Sequence, residues 1–172
     1  MKVSAKGLAL LKEFEKFERK AYVCPAGKLT IGYGHVIQDS EENLKTAVLT
    51  EAQASTLLQR DLVRFEKAVF KAVMVPLTQH QFDALVLLCF NIGPGSLRMG
   101  TGFAGSSVAA AINSKCAEST IRTNWYKWNK VDGTTDGKDN DGDGRIDEPG
   151  EKKVAPGLVV RRQREADLYF SK

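Results

Sequence analysis

Long apolar runs are missing from this chain. The longest, Ala84 to Phe90, has seven residues, whereas a helix needs about 20 to cross a bilayer, so no helical membrane span is expected. Between Lys6 and Lys12 only Gly7 to Leu11 is apolar, shorter than the roughly 7 to 15 residues of a secretory signal. The chain is therefore expected to stay in the cytoplasm where it is made unless something else opens the membrane. Cysteine is scarce and odd in number: Cys24, Cys89 and Cys116 stand at wide spacing, which fits neither a disulfide framework nor a zinc site. Reduced thiols are expected. There are two histidines; His35 reads as a structural hydrogen-bonding residue and His80 as an exposed residue of a first helical turn. No low-complexity tract appears. What is present, 172 residues at 42% hydrophobic and 27% charged, describes one domain, or two small lobes sharing a core.

Charge is unevenly spread. Asp132 to Glu151 holds eight acids and two bases, a net of −6, which leaves +10 on the other 152 residues. A body that basic is drawn to polyanions such as nucleic acid, anionic membrane or acidic wall polymer, and composition does not choose among them.

Helical periodicity begins at Ser4 and runs to Phe17, with Leu8, Leu11 and Phe14 on one face and Ser4 as N-cap. Tyr22 to Cys24, a Pro25-Ala26-Gly27 turn, Leu29 to Ile31 and a Gly32-Tyr33-Gly34 corner read as a small antiparallel sheet. Thr50-Glu51-Ala52-Gln53 is a capping box that opens a helix of about six turns, ended by Pro76 and long enough to join two lobes. A second box, Thr78 to Gln81, opens a nearly all-apolar helix to Phe90 that must be buried on most sides. Ser106 to Asn113, Glu118 to Trp128 and Leu158 to Tyr169 supply further helical patterns. The fold class is α+β and mainly helical, with one small N-terminal antiparallel sheet and a long connecting helix.

Three side chains with complementary chemistry lie close in sequence. Glu15 ends the first helix, Cys24 follows after eight residues and Thr30 after five more. When the hairpin folds back, an acid, a thiol and a hydroxyl can meet around one small substrate. On spacing alone, a solvated surface acid, a packed thiol and a strand threonine are the plainer readings. Gly32-Tyr33-Gly34 lacks the third glycine of a nucleotide loop and is a sheet corner. Asn91 either caps its own helix end or points its amide at a substrate acetamide. Arg161 and Arg162 either pair with Glu15 or decorate the last helix.

The set Phe14-Glu15, Ala21-Tyr22, Thr30 to His35, Pro76 to Gln79, Gln81 to Leu85, Phe90 to Gly93 and Gly157 to Val159 with Arg161-Arg162 resembles the phage-type lysozymes, the endolysins of glycoside hydrolase family 24. The resemblance spans nearly the whole chain except the acidic insert. It implies a two-lobed lysozyme-like fold, with an N-terminal lobe at about residues 13–55 and a helical lobe in the remainder. It also implies hydrolysis of the β-1,4 bond between N-acetylmuramic acid and N-acetylglucosamine in peptidoglycan, reached only after the membrane is permeabilised. A monomer with no nucleic-acid partner and no stable membrane insertion is expected. The family's catalytic acid, second group and threonine fall on Glu15, Cys24 and Thr30. Glycoside cleavage asks for a protonated donor at the leaving oxygen, the role of Glu15, and a second group that serves a water or attacks the anomeric carbon. Most relatives resemble one another in having Asp where this chain has Cys24. An ordinary thiol is only a few per cent ionised at neutral pH, so that role asks for help, and Lys20 and Lys28 are near in sequence. A single acid also suits a lytic transglycosylase, and a chain without Glu15 would read as a wall-binding module.

The insert carries its own pattern. Asp139, Asp141 and Asp143 occupy the first, third and fifth places of a calcium loop, with Gly144 at the sixth. The Arg145 carbonyl takes the seventh place. Gly150 stands at the twelfth, where a bidentate Glu is usual, so Asp147, Glu148 or Glu151 is expected to complete the site. Ile146 is expected to anchor the loop in apolar surroundings. Calcium is accordingly the expected cofactor, structural or regulatory rather than catalytic; a solvated acidic loop is the alternative.

Overall fold

A computed structural model describes residues 1–24, 27–133, 135, 137–140 and 142–171. In chain order these form α1 (Ala5–Glu15), β1 (Glu18–Val23), β2 (Leu29–Gly32), β3 (His35–Val36), α2 (Glu42–Lys45), α3 (Glu51–Ala72), α4 (Gln79–Ile92), α5 (Ser107–Asn113), α6 (Glu118–Tyr126), β4 (Lys130–Asp132), β5 (Lys152–Val154) and α7 (Pro156–Tyr169). The mainly helical α+β class expected from the sequence is what is found.

Local signals set most boundaries. Ser4 caps α1, its hydroxyl accepting the Gly7 N–H at 3.1 Å. The helix ends two residues earlier than the periodicity suggests because Lys16 adopts φ +55°, which turns the chain into β1. The Thr50 box forms as read, with Gln53 Oε1 accepting the Thr50 N–H at 2.8 Å, and Gln81 Oε1 accepts the Thr78 N–H at 3.0 Å in the same way. Four elements have no counterpart in the sequence reading: the two-residue strand β3, the single turn α2 and the strand pair β4 and β5.

The first sheet is antiparallel in the order β1-β2-β3, with Tyr22 opposite Thr30, Val23 opposite Leu29 and Ile31 opposite His35. It leans on the start of α3, where Tyr33 Oη donates to Glu51 at 2.9 Å. The far end of α3 meets α5, through Asn113 bonding Met74 N–H and the Ala72 carbonyl at 2.8 Å each. At 1.5 Å per residue, α3 thus carries the chain about 33 Å from the sheet to the helical pack. Inside that pack α4 touches α1, α3 and α7, and Phe82 through Cys89 are all buried, as an apolar helix without a polar stripe requires. Gly7 permits the α1–α4 approach: a Cβ there would stand 2.8 Å from the Asp83 carboxyl carbon. Asp83 Oδ1 in turn accepts the Ser4 N–H at 2.9 Å.

The acidic insert is the end of a hairpin. Lys130, Val131 and Asp132 pair with Val154, Lys153 and Lys152, so the acidic segment joins the ends of two short paired strands. Ile146 corrects one expectation: it is exposed, since the pair that carries the loop is itself largely solvent-facing and brings no apolar surface to it.

Candidate active site

Glu15 is the last residue of α1, and the left-handed Lys16 behind it leaves its carboxyl at the helix end rather than along the helix face. Its side chain is mostly buried, and its Oε1 accepts from Arg161 Nη1 at 2.8 Å. The corner between β2 and β3 closes the other side. Gly34, at φ +83°, places its α-carbon so that even a Cβ there would lie 3.6 Å from Glu15 Oε2, a turn that glycine adopts without strain.

Arg161 is itself held. Its Nε donates to Glu165 Oε1 at 2.9 Å, and its guanidinium lies 4.9 Å from the centre of the Phe14 ring. Glu165 is fully buried, and its Oε2 accepts Trp125 Nε1 at 3.1 Å and lies 2.8 Å from Arg162 Nη1. Arg162 completes the chain by donating from Nη2 to Asn91 Oδ1. Burial raises the Glu165 carboxyl above the usual range, opposed by both guanidiniums and the indole N–H. Burial also lowers the Arg162 guanidinium to about 10, against the attraction of Glu165. A buried carboxylate gripped by two guanidiniums is costly to break, and here it fixes the arginine that holds Glu15.

The sheet supplies the remaining groups. Thr30 is buried in β2, opposite Tyr22. The pleat puts Tyr22 and Thr30 on one face, and Cys24, two residues after Tyr22, continues that face. The Cys24 N–H donates to the Lys28 carbonyl at 2.9 Å, and the Thr30 hydroxyl donates to the same carbonyl at 3.0 Å. Lys28 therefore meets Cys24 and Thr30 through its backbone. The Tyr22 phenol is raised first by burial, then by negative charge on Cys24, Glu18 and Glu15. Glu15 thus stands at the β2–β3 corner, while Cys24 and Thr30 share one face of the β1–β2 hairpin. Asn91 lies one step back, tied to Glu15 through Arg162, Glu165 and Arg161.

His35 sits at the edge of this corner as the structural residue expected. Buried, it lies with Nδ1 2.7 Å from Asp61 Oδ2 and Nε2 2.8 Å from Glu41 Oε2. Cys89 is buried in α4, its thiol pushed up to about 12 by burial, and none of the three cysteines forms a disulfide.

Sequence reasoning missed Glu165 and Trp125 and left the two arginines open. The available signal was the i, i+4 spacing of Arg161 and Glu165, which also occurs on exposed helix faces.

In the insert, the Asp139 carboxylate accepts the N–H groups of Gly142 at 2.6 Å and Gly144 at 3.0 Å. Asp143 accepts from Arg145 N–H at 2.9 Å, and Asp147 from Gly137 N–H at 3.0 Å. Asp141 lies outside the described residues. Among the described residues no three His, Cys, Asp or Glu side chains are gathered as a metal cage.

A helical body with a small sheet at one end and an acid at the end of its first helix defines a lysozyme-like class. The muramidase domain of SpmX from Asticaccaulis excentricus superposes with a TM-score of 0.79 at 31% identity, over 99% of both chains. The endolysin of Escherichia coli O157:H7 phage FAHEc1 gives 0.76 at 33%, over 99% of this chain and 94% of that one. In sequence, the chain is 35% identical over 172 residues to the endolysin of Acyrthosiphon pisum secondary endosymbiont phage 1, covering 99% of each. The family model for phage lysozyme matches residues 12–165. The chain belongs to the phage lysozyme family.

Proposed function

We infer that the chain is an endolysin muramidase, a glycoside hydrolase that cleaves the β-1,4 bond between N-acetylmuramic acid and N-acetylglucosamine in peptidoglycan. The observation that carries the residue assignment is Glu15, a carboxyl at a helix end, mostly buried and oriented by Arg161 at 2.8 Å. In this reading Glu15 gives its proton to the leaving glycosidic oxygen as the C1–O bond breaks. Thr30 spends its hydroxyl hydrogen on the Lys28 carbonyl, so its oxygen can accept from and hold the attacking water. Cys24 stands on the same sheet face as base or nucleophile, and Asn91, its Oδ1 held by Arg162, offers its amide N–H groups to a substrate acetamide. Acting as a monomer, the enzyme is made in the host cytoplasm and meets the wall once the membrane is opened. Hydrolysis of purified peptidoglycan by Glu15→Gln should fall by about 100-fold or more with an unchanged unfolding midpoint. Glu18→Gln, on the neighbouring strand, should be nearly silent. Equal rates for Glu15→Gln and the parent would contradict the role.

The calcium reading of the insert is supported by loop shape and donor chemistry. Gly144, at the sixth place, has φ +92°, the sharp turn such a loop needs there, and the backbone wraps the Asp139 carboxylate. Asp139, Asp141, Asp143, the Arg145 carbonyl and Asp147 or Glu148 are the hard oxygens that would hold the ion, and calcium would offset their mutual repulsion. Calorimetry should show a higher melting temperature in calcium than in chelator for the parent, and no difference for Asp139→Ala plus Asp143→Ala. Four equal melting temperatures would make the loop a calcium-independent surface feature.

A further inference from the structure

The outward face of α3 carries chemistry that the glycosidase reading does not use. Arg60, Val63, Arg64, Lys67, Phe70 and Lys71 are all exposed, and at 100° per residue they fall within an arc of about 120°. No acid lies in that arc. Met74 follows the helix end, and Leu97 joins Met74 in lining a groove of about 660 Å³ beside it. Phe70 is 75% exposed, Met74 82%, Leu97 79% and Met99 75%. Large apolar side chains standing in water together are unusual on a soluble surface and mark a contact face.

The charges say what kind of contact. Arg64, Lys67 and Lys71 form no ion pair with any acid among the described residues. The nearest acid on the helix, Glu66, stands at the edge of this face, where its Oε1 accepts the Val3 N–H at 2.9 Å. Lys67 and Lys71 border both the Met74–Leu97 groove and a second hollow containing Met1, Val63 and Phe70, so the apolar tips and the cations form one continuous surface. We propose that this face docks the enzyme on an anionic phospholipid bilayer, with Phe70, Met74 and Leu97 entering the headgroup layer and Arg64, Lys67 and Lys71 meeting the lipid phosphates. Cations on long aliphatic stems beside exposed apolar side chains are what an interfacial face requires. The folded domain would lie on the membrane without spanning it. A muramidase held this way stays on the bilayer surface that faces its wall substrate.

Co-sedimentation with lipid vesicles tests the proposal, in chelator so that calcium cannot bridge the acidic loop to lipid. The intact protein should pellet with phosphatidylcholine–phosphatidylglycerol vesicles and remain in solution with phosphatidylcholine alone. Lys67→Glu plus Lys71→Glu, and separately Phe70→Ser plus Met74→Ser, should each weaken binding about tenfold or more. Both double variants should hydrolyse membrane-free peptidoglycan at the parent rate, which shows that the fold is intact. No binding to anionic vesicles, or equal binding by parent and variants, would overturn the assignment. So would a vesicle-free dimer that the same substitutions dissociate, because the face would then serve a second copy of the chain.

Discussion

At Cys24 a half-buried thiol stands on the sheet face that also carries Tyr22 and Thr30, where packing and chemistry make different demands. Cys24→Asp restores a carboxylate and should keep wall hydrolysis. Cys24→Ala keeps most of the volume and removes the reactive atom, so its kcat should fall by about 100-fold without a change in the unfolding midpoint. An alanine variant as fast as the parent would leave the thiol a packing role. Glu15, Cys24 and Thr30 could be grouped as candidates from the sequence because they lie within 16 consecutive positions on a helix end and a hairpin, where local signals also fix the chain path. Glu165 was not legible. Its carboxylate faces inward only because Trp125, Arg161 and Arg162 surround it, and in sequence it looks like any acid on a helix. The choice between pairing and decoration at Arg161 could not be made from the sequence either, since Glu15 is 146 positions away.

Among the elements, the helices with caps and apolar periodicity and the first hairpin with its turn were readable, and the short strands made by pairing alone were not. The helices α1, α3 and α4 announce their starts with Ser4, Thr50 and Thr78, whereas β4 and β5 are three exposed residues each, too short for alternation to register and separated by the whole insert. The junction of β3 with α2 and α3 is likewise invisible in sequence, and it predicts a pH dependence. His35, on β3, faces Asp61 of α3 and Glu41 before α2, with Arg60 Nη2 3.5 Å from its Nε2. The hydrogen bond to Asp61 raises the imidazole above its ordinary 6.5, with burial opposing and Glu41 assisting. A group raised on folding stabilises fully below its unfolded value and loses that contribution as pH rises through the folded one. Stability should therefore decline above about pH 6.5, and Asp61→Asn should flatten that decline, as urea unfolding between about pH 6 and pH 9 would record. An unchanged slope in the variant would dissociate His35 from the effect. Glu41 acts at the acid end: burial would raise it, but the Gln38 N–H, His35 and Arg60 together hold it at about 2. Its contribution is present above about 4.5 and lost as pH falls through about 2.

In the whole molecule, the candidate site brings α1 and α7 together. Arg161 of α7 reaches Glu15 of α1, Arg164 reaches Glu13 at 2.6 Å, and α4 lies against both helices. Residues that far apart assemble only when the full fold forms, so the orientation of the acid reports on global folding, while the sheet corner supplies its partners locally. The charge division is uneven in the same way, with the −6 segment Asp132 to Glu151 set apart from a basic remainder that can face anionic surfaces. The central claim is that Glu15 acts as the proton donor in hydrolysis of the glycan by water. Mass spectrometry of the fragments released from purified peptidoglycan, by the parent and by Glu15→Gln, tests it most directly. The account predicts fragments ending in reducing N-acetylmuramic acid from the parent and about 100-fold less product from the variant; 1,6-anhydro ends from the parent, or undiminished release by Glu15→Gln, would contradict it.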